Sequence, residues 1–223
     1  MNRMAGKKKQ VRGARGPYAV GLARREQIIT EAARLFAERG FEGVTTQAVA
    51  DACGISRAGV LHHFPDKDSL LANVLQVTLG GPQDMQRAQA YTQTPDGLEL
   101  LRSVAELSER TQSGADVPQL VIRLAVEAAD PSHPAHSFFV ARYREIDENL
   151  TYVLRLVESA EYLRPGVVVE QAAIRLAALV DGLQIQWLLD RDLDIVDQVR
   201  QAIADMLTEE GQVAFADAFA LSR

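Results

Sequence analysis

Residues 45–67, TTQAVADACGISRAGVLHHFPDK, decide how the rest of the chain is read. They read as two short helices set at a sharp angle. Thr45 is placed to cap the first, its hydroxyl taking up a backbone N–H that a helix start leaves unpaired. Ala48, Val49 and Ala52 then give an inward face. Cys53-Gly54 ends that helix, glycine adopting the left-handed cap at least cost. Ile55 plugs the corner, and Ser56 is a fresh N-cap for a second helix running from Arg57 to His63. The second helix is oddly built for a core. It opens with a cation and two minimal side chains, Arg57, Ala58 and Gly59, and an interior glycine costs a helix roughly 1 kcal/mol. Bare backbone is useful where something bulky must come close, as a DNA duplex does. Helix, short glycine turn, helix is the arrangement that sets a recognition helix in a major groove. Two ordinary helices of an all-α bundle are the alternative that spacing alone leaves open.

Charge is divided along the chain in a way that favours the first reading. The net charge is −6, yet residues 1–68 hold 12 Lys or Arg against 7 Asp or Glu, and residues 69–223 hold 12 against 23. A cationic end facing phosphates and an anionic remainder facing something else is the simplest meaning of such asymmetry. The cationic end carries the two-helix motif. Residues 1–21 read as an unfolded basic arm, with Lys7, Lys8, Lys9, Arg12 and Arg15 among glycines and little apolar surface to order them. Such an arm either adds counterion release on DNA, with Arg15-Gly16-Pro17 near a minor groove, or is a solubilising tail.

The flanking residues carry a resemblance. Arg39-Gly40-Phe41 closes a preceding helix, Thr45-Thr46 opens the next, Ala50 and Cys53-Gly54-Ile55-Ser56 follow, and His63-Phe64 with Lys67 completes the motif. In this order and spacing, residues 22–75 resemble the TetR family of transcriptional regulators. Leu179–Asp190, LVDGLQIQWLLD, is similar to the eighth helix of many members. The chain departs from the usual pattern at Leu61, where the family commonly has a phosphate-binding tyrosine. A Leu-His-His-Phe variant also occurs among such regulators.

The expected architecture is all-α: a three-helix helix-turn-helix head over residues 22–67, then a larger helical domain over residues 68–223. Leu22–Arg39 reads as the first long helix, with Ile28, Ile29, Ala32, Leu35 and Phe36 on one face. A fourth helix from Asp66 to Leu79 ends at Gly80-Gly81-Pro82. After a Thr94-Pro95 start, helices are expected to Gln112, over Val117–Ala129, Ala135–Leu163, Val168–Leu189 and Ile195–Leu207, with a short tail helix over Val213–Leu221. No strand-like alternation and no repeat is present. Hydrophobic residues make up 47% of the chain, ample for a core, and no apolar run is expected to reach the eighteen or so residues of a membrane span. The single cysteine, Cys53, permits no internal disulfide and suits a cytoplasmic protein.

The residues expected to meet DNA are Thr46 and Gln47 at the start of the first motif helix, Arg57, Ala58, Gly59 and His62 on the second, and Lys67, Arg24 and Arg25 beside them. Arg57 either pairs with a guanine edge or holds a phosphate; Thr46 and Lys67 match the family's phosphate anchors. The resemblance further implies a homodimer binding a palindromic operator, released by a small-molecule effector, with repression as the common outcome. It places the dimer seam on the last two main helices, where Ala173, Leu176, Ala177, Val180, Gln184 and Leu188 recur every three or four residues. Leu107, Ile122, Val126, Phe139, Tyr143 and Trp187 are the candidate walls of an effector pocket, ordinary core packing being the competing reading of each. The acidic surplus is compatible with a cationic effector or with a plain solvated surface.

An enzyme is not expected, because the chain has no glycine-rich phosphate loop, no G-x-S-x-G elbow and no HExxH. No cofactor is implied. Asp130, His133 and His136 could suggest a metal site, but the flanking prolines and the lack of another convincing ligand argue against it. A helical protein-interaction module with no DNA role is the remaining alternative; it leaves the basic N-terminal end unexplained.

Overall fold

The computed structural model describes residues 17–80, 97–112 and 116–220, and the side chains of 19–80, 97–106 and 117–216. Regular structure among them is helical throughout: α1 Pro17–Arg39, α2 Thr46–Ala52, α3 Arg57–His63, α4 Lys67–Leu79, α5 Gly97–Gln112, α6 Asp116–Glu127, α7 His136–Ser159, α8 Val169–Leu189, α9 Ile195–Met206 and α10 Glu209–Ala220. An isolated antiparallel bridge joins Leu163 to Leu207.

Local chemistry sets the helix ends in the head. Thr45 Oγ1 accepts the Ala48 N–H at 3.1 Å and Ser56 Oγ the Gly59 N–H at 3.1 Å. Gly54 takes φ +64, and the Ile55 N–H returns to the Ala50 carbonyl at 3.0 Å, closing α2. Asp66 and Ser69 form a reciprocal capping box at the start of α4, and the Ser69 N–H and hydroxyl hold the Asp66 carboxyl below its ordinary pKa.

Three boundaries differ from expectation. α1 begins at Pro17 rather than Leu22, proline being well tolerated in a first turn, so residues 17–21 are helical and not part of an arm. The rest of the expected arm, residues 1–16, lies outside the described residues, as does Thr94-Pro95. α7 ends at Ser159, four residues early, because Tyr162 and Arg164 turn to pair with the chain after α9. The Thr208 N–H donates to the Tyr162 carbonyl at 2.8 Å, and the Arg164 N–H to that of Met206 at 2.9 Å. Thr208 Oγ1 then accepts the Gly211 N–H, which starts α10 at Glu209 rather than Val213.

Two apolar clusters hold the helices. The first joins Ile28, Phe36, Phe41, Val49, Val60 and Phe64 of the head to Leu70, Leu71, Val74 and Leu75 of α4. It continues into Leu120 and Leu124 of α6 and Phe139 of α7, so the head's core does not stop at Lys67. The second packs α5, α7, α8, α9 and α10 around Leu101, Leu154, Leu176, Trp187, Val199 and Ile203. α8 lies between α7 and α9 and also touches α6. Against expectation, its 21 residues are long and apolar enough by composition to cross a membrane. Within the chain it packs on α6, α7 and α9, and 28% of that apolar stretch is buried.

Candidate nucleic-acid interface

α2 and α3 stand at the tip of the head. α3 buries only Val60 in its length, and Arg57, Ala58 and His62 are exposed. Arg57 Nε donates to Thr46 Oγ1 at 3.2 Å, tying the start of α3 to the start of α2. Its terminal guanidinium nitrogens have no hydrogen-bond partner among the described residues, so the donor fork points outward. Gln47 is also exposed, its amide donating to Asp51 Oδ1 at 2.7 Å. Arg57, Thr46, Leu61 and Lys67 border one shallow hollow.

Gly59 has room around it. A Cβ there would meet Ile55 Cδ1 and Ser56 Oγ at 3.5 Å, ordinary contact distances. Packing within the head therefore does not demand glycine at this place.

The other expected contacts are already engaged inside the head. Lys67 Nζ donates to the Phe41 carbonyl at 3.2 Å, stands 3.9 Å from the centre of the Phe41 ring and lies 3.9 Å from Glu42 Oε2. Arg24 Nη1 donates to Gln27 Oε1 at 2.8 Å and reaches the Cys53 carbonyl at the end of α2. Arg25 donates to Asn73 Oδ1 of α4 and lies over the Phe64 ring at 5.1 Å. These three cations hold helix ends together, with long side chains bridging distant parts of the sequence. His63 packs between His62 and Phe64, and burial, with the neighbouring His62 and arginines, lowers its pKa.

A tip of this shape has known relatives. The sequence profile of bacterial regulatory proteins of the tetR family matches residues 28–74, and that of the BetI-type transcriptional repressor C-terminal domain matches residues 125–211. The HTH-type transcriptional repressor AcnR of Corynebacterium efficiens is 30% identical over 165 residues, covering 71% of this chain and 78% of that protein. The chain belongs to the TetR family of transcriptional regulators. A putative transcriptional regulator from Saccharomonospora viridis, crystallised with choline, is 26% identical and superposes with a TM-score of 0.69 over 84% of this chain and 100% of that one. A TetR-family regulator from Agrobacterium tumefaciens shares the fold at a TM-score of 0.71 and 20% identity, over 84% of this chain and 100% of that one.

As in other TetR-family regulators, a larger helical part follows the head, here α4 to α10, and the five candidate pocket walls whose side chains are described are spread over both apolar clusters and the surface. Phe139 belongs to the head's cluster and Trp187 to the body's, where the Arg191 guanidinium stacks on the indole at 3.8 Å. Ile122 and Val126 border an open hollow with Arg39, Gln119, Arg123 and Leu188, and Val126 is 70% exposed. The Tyr143 hydroxyl donates to Asp181 Oδ2 at 2.7 Å. Burial, reinforced by that bond, raises the Tyr143 pKa; burial likewise raises that of Asp181. The side chain of Leu107 lies outside those described. Apolar type alone did not separate wall from core.

The expected dimer residues differ in exposure. Ala173 and Leu176 are buried in the chain's own core. Ala177, Val180, Gln184 and Leu188 are half-buried. The large apolar residues α8 leaves in solvent are Ile174, Ile185 and Leu189, the last 85% exposed. α8 is apolar around most of its girth, so periodicity did not say which stripe turns outward. The three residues that sequence reading set aside as a metal site bond within their own segment: His133 Nδ1 accepts the Ala135 N–H at 3.2 Å, His136 Nδ1 pairs with the Ala128 carbonyl at 2.8 Å, and Asp130 accepts from Ser132.

Proposed function

We propose that this protein is a ligand-responsive repressor that binds an inverted-repeat operator as a homodimer in the cytoplasm and releases it when a small molecule occupies the body. The observation that carries the reading is the tip of α3: an outward guanidinium from Arg57 beside the nearly bare surface of Ala58 and Gly59. One helix of seven residues reads too few base pairs to select a site, and a two-fold pair reads two half-sites on one face of the duplex. The exposed Ile174, Ile185 and Leu189 on α8 support self-association through that helix. The relative from Corynebacterium efficiens is a repressor, which supports repression here, and the choline complex of the Saccharomonospora viridis regulator supports a small-molecule site in the body.

In this reading Arg57 contacts a base edge, Ala58 and Gly59 admit the duplex, His62, Gln47 and Thr46 meet base or phosphate, and Arg24, Arg25 and Lys67 hold the tip in shape while adding positive potential. Effector action is linkage: the ligand must prefer the body shape that misplaces the two tips, and only that preference can release DNA. Selection of bound sites from a random duplex pool tests the reading. It should enrich an inverted repeat, and a pool that emerges unenriched at low salt would refute it.

A further inference from the structure

The head is attached to the body at a second place besides α4, where a row of polar contacts runs beside the apolar packing of Leu120 and Leu124. Gln119, Arg123 and Glu127 are four residues apart and share one face of α6. All three reach the end of α1. Gln119 Nε2 donates to the Ala37 carbonyl at 3.2 Å, Arg123 Nη1 to the Glu38 carbonyl at 2.6 Å, and Glu127 Oε2 accepts the Phe41 N–H at 2.8 Å. The last carbonyls of a helix have no intrahelical donor, so α6 supplies what α1 lacks. Gly40 holds φ +75 there, and a Cβ on it would stand 2.1 Å from Glu127 Oε1. The carboxylate fills a space that only glycine leaves.

Glu127 lies in the middle of a chain of direct contacts. On the body side, His133 is 7% exposed, sets its ring edge against Phe41 at 5.1 Å and holds Nε2 3.8 Å from Glu127 Oε2. On the head side, the Phe41 carbonyl and ring take the Lys67 ammonium, and Lys67 begins α4 just beyond the end of the recognition helix. Turning α6 would therefore carry Phe41 and the α3–α4 corner with it.

We infer that Glu127 is a positioning residue that sets the angle of the head on the body, and with it the separation of the two recognition helices in a dimer bound to DNA. The inference rests on the homodimer reading above. A residue that merely glued α6 to α1 would lower stability and weaken every duplex alike. A residue that sets the angle also governs which half-site spacing is preferred.

The test uses the full chain and a set of duplexes carrying the selected half-sites with the natural spacer, one base pair fewer and one more, titrated by fluorescence anisotropy at fixed salt. Glu127→Ala should lower the preference for the natural spacer by about fivefold or more, the lower end of coupling between linked sites, with base preference within each half-site unchanged. Glu127→Gln, which keeps an acceptor for the Phe41 N–H, should retain the wild-type profile. Should Glu127→Ala fail to fold, Arg123→Ala removes a neighbouring rung and is read the same way. A folded alanine variant with the wild-type spacing profile overturns the inference while leaving the operator reading intact. A wild-type chain that binds none of the duplexes overturns the operator reading itself.

Discussion

Gly59 and Arg57 are two residues apart on α3, and the structure gives them opposite reasons for being there. A Cβ at Gly59 has room within the head, and alanine in a helix interior is favoured over glycine by about 1 kcal/mol. Gly59→Ala should raise the melting temperature and weaken operator binding, measured by thermal denaturation and gel shift on one preparation; binding unchanged by the extra methyl would remove the duplex as the reason for glycine. Arg57→Ala should relax preference at one or two positions of each half-site, each worth about 1–3 kcal/mol of discrimination; quantitative binding to single-base operator variants reads this directly. Lys67 is a different case. Its hydrogen bond to the Phe41 carbonyl is charge-assisted, so Lys67→Ala should cost about 1–3 kcal/mol of stability in chemical denaturation. His63 has a pKa below its ordinary value, so the unfolded chain takes up its proton first as pH falls. Its contribution to stability is complete above about pH 6.5, the unfolded value, and is lost as pH drops through the folded one. His63→Gln should flatten that part of the stability–pH curve.

Among the elements, the caps were the most legible part of the sequence. Thr45, Ser56 and Asp66 each satisfy a donor within three residues, so nothing distant can overrule them. The partners of long side chains were not legible. Arg24, Arg25 and Lys67 looked like free cations, but they have acceptors 26 to 48 residues away, on or beside other helices. Glu127 gave no signal of its own, because its meaning comes from a backbone N–H 86 residues back. α8 shows the same limit for apolar residues: Ala173 and Ile174 are neighbours in sequence, one fully buried and the other 57% exposed. The outward stripe belongs to the proposed seam. Ile174→Glu with Ile185→Glu should convert a dimer to monomer in analytical ultracentrifugation, whereas Ala173→Glu should unfold the body instead.

At the scale of the whole molecule, the charge division and the packing tell one story from two directions. The cation surplus of residues 1–68 comes from residues 1–16, which hold 6 Lys or Arg and no acid and precede the head that presents α3, while the anionic remainder builds the cluster around α8. The two apolar clusters are bridged by α6 and α7, which touch the head's cluster and the helices of the body alike. Membership of the family was legible from cap, turn and closing residues; the effector site was not, because apolar walls and apolar core are built from the same residue types. The account stands on sequence-selective binding of duplex DNA by this tip. Its most direct measurement is an anisotropy titration of the full chain against the selected operator and a scrambled duplex across a range of salt concentrations. The account predicts affinity that falls steeply with salt and favours the operator by about a thousandfold or more. Equal affinity for the two duplexes, or none for either at low salt, would contradict it.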